Sequence, residues 1–172
     1  MKQVYLLTGR PGTGKTSLIK HIATEYKDKA GGFYTEEIRS QGKRLGFKLV
    51  TLDGQQTILA LTDFHSRYHV GKYGVDIDGL DRIGVAALRK AAHQDDLVVV
   101  DEIGKMELFS AKFRETVFDI IKSGKKVLGT IMSASNPWAD DIKRRPEVYL
   151  VEVTRTNRHQ LLDDLRQWLG KS

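Results

Sequence analysis

Eight consecutive residues, Gly9-Arg10-Pro11-Gly12-Thr13-Gly14-Lys15-Thr16, carry the spacing G-x-x-x-x-G-K-[ST]. Such glycines let successive backbone N–H groups converge on phosphate oxygens, and the helix start behind them adds positive potential. Lys15 is then placed to reach the β and γ phosphates, and the Thr16 hydroxyl is a hard ligand for Mg²⁺. A second group of chemically capable residues follows the apolar run Leu97-Val98-Val99-Val100, which ends in Asp101 and Glu102. Two carboxylates at the end of a buried strand suit two tasks. Asp101 holds the Mg²⁺ shell, while Glu102, alternating to the other side of the strand, orients or deprotonates an attacking water. A carboxylate that serves water favours hydrolysis over transfer to an acceptor hydroxyl. Taken alone, the first segment reads as a glycine turn and the second as a strand ending in solvated acids; their conjunction points to NTP·Mg²⁺. A dinucleotide cradle is excluded, because Gly12-x-Gly14-x-x ends at Ser17.

Both groups need particular elements around them. Gln3 to Leu7 is a short apolar run that reads as a strand buried on both faces. Thr16, Ile19, Ala23 and Tyr26 then recur at helical steps, and the pattern stops at Gly31-Gly32. Three antiparallel strands are predicted from Gly32 to Ala60, with hairpin turns at Gln41-Gly42 and Asp53-Gly54. Residues Thr62 to Gly79 are polar and glycine-punctuated, and read as an irregular connection. Leu80, Ile83, Ala87, Leu88 and Ala91 keep the helical period before the valine-rich strand. Phe109, Phe113, Val117, Ile120 and Ile121 form the stripe of a further helix that ends at Ser123-Gly124. A strand at Val127 to Ile131, a short helix from Trp138 to Arg144 broken by Pro146, and a core strand at Val148 to Val151 follow. Leu161, Leu162, Leu165 and Trp168 line a closing helix. This alternation predicts an α/β fold: a mainly parallel sheet with helices on both faces and an antiparallel hairpin extension at one edge. Ligands of such sheets sit at the carboxyl ends of the strands, where Thr8 to Thr16, Asp101 onward and Ser133 onward fall.

Composition narrows the classes. A chain of 172 residues, 40% of them apolar, fits a single domain over 1–172. Its apolar runs are far shorter than the roughly 20 residues of a membrane-spanning helix, and no secretory h-region is legible, so a cytoplasmic location is expected. With no cysteine, thiolate chemistry is excluded. His65 and His69 share an i, i+4 spacing but have no third ligand of obvious type, and read as structural histidines. The net charge of +6 suits polyanions, yet Lys and Arg are dispersed, so nucleotide phosphates satisfy it as well as nucleic acid, which is not otherwise indicated. The oligomeric state is left open by the sequence, with a monomer favoured.

Three longer segments make the reading specific. Gly31-Gly32-Phe33-Tyr34-Thr35-Glu36-Glu37-Ile38-Arg39, Asp101-Glu102-Ile103-Gly104-Lys105-Met106-Glu107-Leu108 and Ile142-Lys143-Arg144-Arg145-Pro146 resemble the cancer-related nucleoside-triphosphatase family over nearly the whole chain. The resemblance implies a three-layer, RecA-like P-loop NTPase fold with an additional strand, the one at Val127 to Ile131, between the glycine-loop strand and the Asp101 strand. It also implies Mg²⁺-dependent hydrolysis of several nucleoside triphosphates with little base selectivity. The matching nucleotide-binding residues are Gly9 to Thr16 and Val98 to Lys105, the latter comprising Val98, Val99, Val100, Asp101, Glu102, Ile103, Gly104 and Lys105. Family members often carry histidines after the fourth parallel strand, where this chain has Met132 and Asn136, so no histidine role transfers; Asn136 reads as a polar sensor or, more simply, a turn residue before Pro137.

Charge building on the γ-phosphoryl oxygens calls for a further cation. Arg10, Lys105, Arg144 and Arg145 are the candidates, and Lys105 is preferred for its place beside the acids. Thr154, Asn157 and Arg158 follow the last strand where a nucleobase would rest, although Thr156 or Asn157 also suits a helix cap. The pattern Asn-Lys-x-Asp is absent after the fourth strand, which argues against strict guanine selection. Two other function classes stay open. One is a nucleotide or polynucleotide kinase with a lid from Thr62 to Tyr73, which offers only Arg67 and Lys72. The other is a nucleotide-regulated binding module whose Phe33 to Leu61 strands meet a partner.

Overall fold

The computed structural model describes residues 2–170. Strand β1 (Val4–Thr8) leads through the glycine loop into α1 (Lys15–Glu25), and β2 (Ala30–Ser40), β3 (Lys43–Thr51) and β4 (Gln56–Thr62) follow. Next come β5 (His69–Val70), β6 (Tyr73–Val75) and a continuous helical stretch made of α2 (Ile77–Gly79), a π-helical segment (Leu80–Val85) and α3 (Ala86–Gln94). Then β7 (Leu97–Ile103), a 3₁₀ turn (Glu107–Phe109), α4 (Ala111–Lys122), β8 (Lys126–Ile131), α5 (Pro137–Lys143), β9 (Val148–Glu152) and α6 (Arg158–Gly170) complete the chain. Among the described residues the strands form one sheet in the order β5-β6-β4-β3-β2-β7-β8-β1-β9. The run β2-β7-β8-β1-β9 is parallel, and β2 through β5 close the other side with antiparallel pairs. Strand β8 lies between β1 and β7, as the resemblance implied.

Residue alternation explains the three layers. Val4 and Leu6 of β1, Val98 and Val100 of β7 and Val127 of β8 face one core, against Leu88 of α3, Phe113 and Val117 of α4 and Ile142 of α5. Tyr5, Leu7, Leu97, Val99 and Leu128 face the other, against Leu18 and Ile22 of α1 and Leu161, Leu165 and Trp168 of α6. Strands apolar at every position are thus explained by helices on both faces. Local signals set the boundaries: Ser110 Oγ accepts from Phe113 N at 3.0 Å to start α4, and Asn136 Oδ1 accepts from Trp138 N and Ala139 N to start α5 ahead of Pro137. Among the described residues no helix is long and apolar enough to cross a membrane.

Several sequence expectations change. Helix α1 ends at Glu25, and Gly31-Gly32 is not its stop but part of β2. Gly32 has φ 109, and a Cβ there would meet the Val99 carbonyl oxygen at 2.0 Å, so the glycine serves the close approach of β2 to β7. Thr62 to Gly79 is not irregular throughout: it holds the β5-β6 edge hairpin and the start of the helical stretch, whose two- and three-residue strands are too short to show a period. Phe109 lies in the 3₁₀ turn, outside α4, and is exposed. The last strand is an edge, with Tyr149 and Leu150 exposed, rather than a core strand.

Candidate functional site

The glycine loop turns between the end of β1 and α1 through residues no side chain would tolerate well. Gly9, Gly12 and Gly14 have φ of 140, 81 and 91. Gly14 is the N-cap of α1, with no side chain accepting from the first helical N–H groups and no acid in the first turn, so those donors and the positive helix end face the loop. Lys15 Nζ reaches back along the loop to donate to Gly9 O at 2.5 Å, and Thr13 Oγ1 donates to Arg10 O at 2.9 Å.

Strand β7 delivers the acids into the same place. Thr16 Oγ1 donates to Asp101 Oδ2 at 2.9 Å, and Thr130 Oγ1 of β8 donates to Asp101 Oδ1 at 2.6 Å. Asp101 is 2% exposed and has no ion-pair partner among the described residues. Burial pushes its carboxyl above the usual range, while the Thr130 and Thr16 hydroxyls, a backbone N–H of Thr35 and the charge of Lys15 pull the other way. A buried carboxylate flanked by two hydroxyls and lacking a cation is a hard-oxygen set suited to Mg²⁺.

Glu102 does not point to the opposite side, as simple alternation predicted. The β7–β8 register pairs Val100 with Gly129 and then Ile103 with Ile131, which inserts one extra residue into β7 at the acids. Such a bulge lets neighbouring side chains share a face. Asp101 and Glu102 therefore line one cleft of about 340 Å³ with Pro11, Gly12, Gly14, Lys15 and Thr16. The Glu102 carboxyl is raised first by burial and then by the Asp101 charge, with Lys15 opposing. Behind it Glu107 is fully buried and held well above the ordinary carboxyl value by burial and by Glu102.

The other expected site residues divide. The Arg158 guanidinium lies on Gly14, close enough that a Cβ there would meet its Cζ at 2.7 Å, so this side chain flanks the glycine loop. Asn157 spends its side chain locally: Oδ1 accepts from Thr154 N and Nδ2 donates to Glu152 O, both at 2.8 Å. Val98, Val99, Val100 and Ile103 point into the cores and carry the acids without lining the cleft, and Gly104 lies under the Glu102 side chain. Lys105 is exposed on the turn after β7, outside the cleft lining, as is Arg10 on the loop. Arg144 and Arg145 pair with Asp141 and Glu147, and Asn136 caps α5. Sequence reading missed Thr130, the single hydroxyl of β8, and it gave no site role to the opposite wall of Thr35, Glu36, Glu37, Arg44 and Phe47, of which the first three lie in the segment Gly31 to Arg39 that carries the resemblance.

A sequence profile of a family described as NTPase matches residues 4–166. The nucleoside-triphosphatase THEP1 of Thermotoga sp. strain RQ2 is 51% identical over 160 residues, covering 93% of this chain and 91% of that protein. The human cancer-related nucleoside-triphosphatase is 38% identical over 182 residues, covering 96% and 95%. Among solved structures, the crystal structure of THEP1 from the hyperthermophile Aquifex aeolicus superposes with a TM-score of 0.86 at 36% identity, covering 94% of this chain and 96% of that one. The solution structure of the human cancer-related nucleoside triphosphatase gives 0.83 at 36% identity, covering 100% and 99%.

Proposed function

The chain belongs to the NTPase family, and from that membership and the chemistry of the cleft we propose that it is a Mg²⁺-dependent nucleoside triphosphatase that hydrolyses the terminal phosphate of ATP, GTP and other NTPs with low base selectivity. The observation that carries the reading is the convergence of Lys15, Thr16, Asp101 and Glu102 on one cleft, with Thr16 and Asp101 joined at 2.9 Å. The loop amides from Gly9 to Thr16 bind the phosphates, and Lys15 exchanges its Gly9 carbonyl for a phosphate oxygen. Thr16 and Asp101 would hold Mg²⁺, which when bound would supply positive charge to the phosphates. Glu102 orients the attacking water and takes its proton, a role favoured by a carboxyl already raised by burial.

Arg158 contributes a planar cation beside Gly14 where the nucleoside leaves the loop, and a stacked guanidinium selects no particular base. Lys105 is a weaker candidate for the catalytic cation than its place in sequence suggested, since it faces solvent. On this reading the chain acts on free nucleotides as one domain in the cytoplasm, with a monomer favoured and the oligomeric state left open. The test is phosphate release from each NTP with Mg²⁺, with and without nucleoside or polynucleotide acceptors. Release without acceptor, lost in Lys15→Ala, supports the reading. Glu102→Gln should keep Mg·NTP affinity and lose turnover. Turnover that requires an acceptor, or that survives Lys15→Ala, refutes it.

A further inference from the structure

The cleft wall opposite the glycine loop is built by the antiparallel extension, and it carries a cation that the motifs do not account for. Arg44 of β3 lines the cleft together with Lys15, Thr16, Asp101 and Glu102. Its guanidinium is held from the adjacent strand β2 and from β6, one strand further out beyond β4: Nε donates to Tyr73 Oη of β6 at 2.9 Å, and Nη1 donates to Glu37 Oε1 of β2 at 3.3 Å. The plane lies over the Phe47 ring at 5.1 Å and the Tyr73 ring at 5.6 Å. Those contacts leave Nη2 with no hydrogen-bond partner among the described residues. Glu37 is shared between Arg44 and Arg39, whose Nε donates to it at 2.7 Å, and the neighbouring Glu36 pairs with Lys20. Pairing with Arg39 and Lys20, which stand outside the cleft lining, occupies Glu37 and Glu36, and Arg44 is the cation that this wall itself presents to the cleft.

We infer that Arg44 is the in-chain cation that meets the γ-phosphoryl oxygens opposite Lys15, with Tyr73 and Glu37 as its positioning residues. This rests on the triphosphatase reading above. In that reaction the water oxygen bonds to the γ phosphorus, its proton passes to Glu102, and the bridging P–O bond breaks with its electron pair going to the β-phosphate. Negative charge is shared among the γ oxygens and the leaving oxygen as this happens, and a guanidinium already aimed there needs little reorganisation to stabilise it. Arg44 is exposed as Lys105 is, at 43% of its side chain, but its hydrogen-bonded, aromatic-backed mount fixes the direction of the guanidinium. The antiparallel extension thereby acquires a purpose: three of its strands, β2, β3 and β6, converge to hold one side chain over the phosphate end of the parallel sheet.

The test compares Arg44→Ala, Arg44→Lys, Tyr73→Phe and Lys15→Ala for kcat and KM in Mg·ATP hydrolysis, for affinity towards a non-hydrolysable fluorescent analogue, and for melting temperature. Arg44→Ala is expected to lower kcat by about 10²–10³-fold, with analogue affinity reduced by less than about tenfold. Arg44→Lys should not restore kcat, because an ammonium cannot hold Tyr73 and present a fork at once. Tyr73→Phe should keep the fold and give a smaller fall in kcat with KM unchanged. Arg44→Ala that turns over within about threefold of the parent while Lys15→Ala is inactive overturns the assignment and leaves the triphosphatase reading standing. Turnover in both variants overturns that reading itself. Should Arg44→Ala melt well below the parent, Tyr73→Phe decides: a lowered kcat supports the assignment, and a lowered melting temperature with unchanged kcat assigns Arg44 a structural role and overturns it.

Discussion

Gly104→Ala isolates the position of the Glu102 carboxylate from its presence. A Cβ built on Gly104 would lie 2.7 Å from Glu102 Oε1, 2.9 Å from its Cγ and 3.0 Å from its Cδ. All three nearest atoms belong to that one side chain, so the new methyl displaces Glu102 and little else. Ordinary contact begins near 3.4 Å, which requires Oε1 to give way by about 0.7 Å. A shift of that size in a group that orients a nucleophile costs roughly tenfold to a hundredfold in rate, or about 1.4–2.7 kcal/mol of barrier. Stability should move little, since the backbone at Gly104 is not in the left-handed region and alanine restricts the unfolded chain more than glycine does. The contrast is Gly129→Ala, where the added Cβ meets the Val100 carbonyl oxygen at 2.6 Å and the buried Val100 Cγ1 at 2.7 Å, so strand backbone and packed core must yield; that variant should lose stability instead. The assay is steady-state phosphate release with analogue affinity and urea midpoints for both variants and for Glu102→Gln. In the double variant Gly104→Ala with Glu102→Gln, no loss beyond that of Glu102→Gln is expected, because the two changes act through one group. A Gly104→Ala protein with parental kcat would refute the view that Glu102 positions the water.

Two further outcomes test the scaffold. Phe113 is fully buried with its ring 6.4 Å from that of Phe33, so Phe113→Ala should cost about 3–5 kcal/mol in urea unfolding; a loss under about 1 kcal/mol would deny that α4 packs on the sheet as described. Tyr5 is pushed up to about 12 by burial first, with Asp164 and Tyr149 adding to the effect. A folded value above the ordinary 10 means that stability is fully present below pH 10 and falls as pH rises from 10 towards 12. Tyr5→Phe should flatten that alkaline loss, measured as urea midpoints at pH 8 and pH 11.5; equal alkaline loss in both proteins would remove Tyr5 from the account.

The sequence by itself determined the parts whose signals are local. A phosphate loop is a matter of consecutive backbone conformations, so Gly9, Gly12 and Gly14 before Lys15 announce it without knowledge of the rest of the chain. Strands apolar at every position and helices apolar on one stripe announced the covered parallel sheet, since each pattern follows from how many faces an element buries. What needed three dimensions was whatever depends on register or on residues distant in the chain. The extra residue in β7 turned Glu102 to the side of Asp101, and only pairing with β8 creates it. Thr130 reached Asp101, and Arg44 reached the cleft by way of Tyr73 and Glu37, through strand order that no local periodicity encodes. Lys105, adjacent to the acids in sequence, faces solvent because the chain turns away once the strand ends. Proximity along the chain fixes backbone shape over a few residues; proximity in space is set by which strands pair and which faces the core claims.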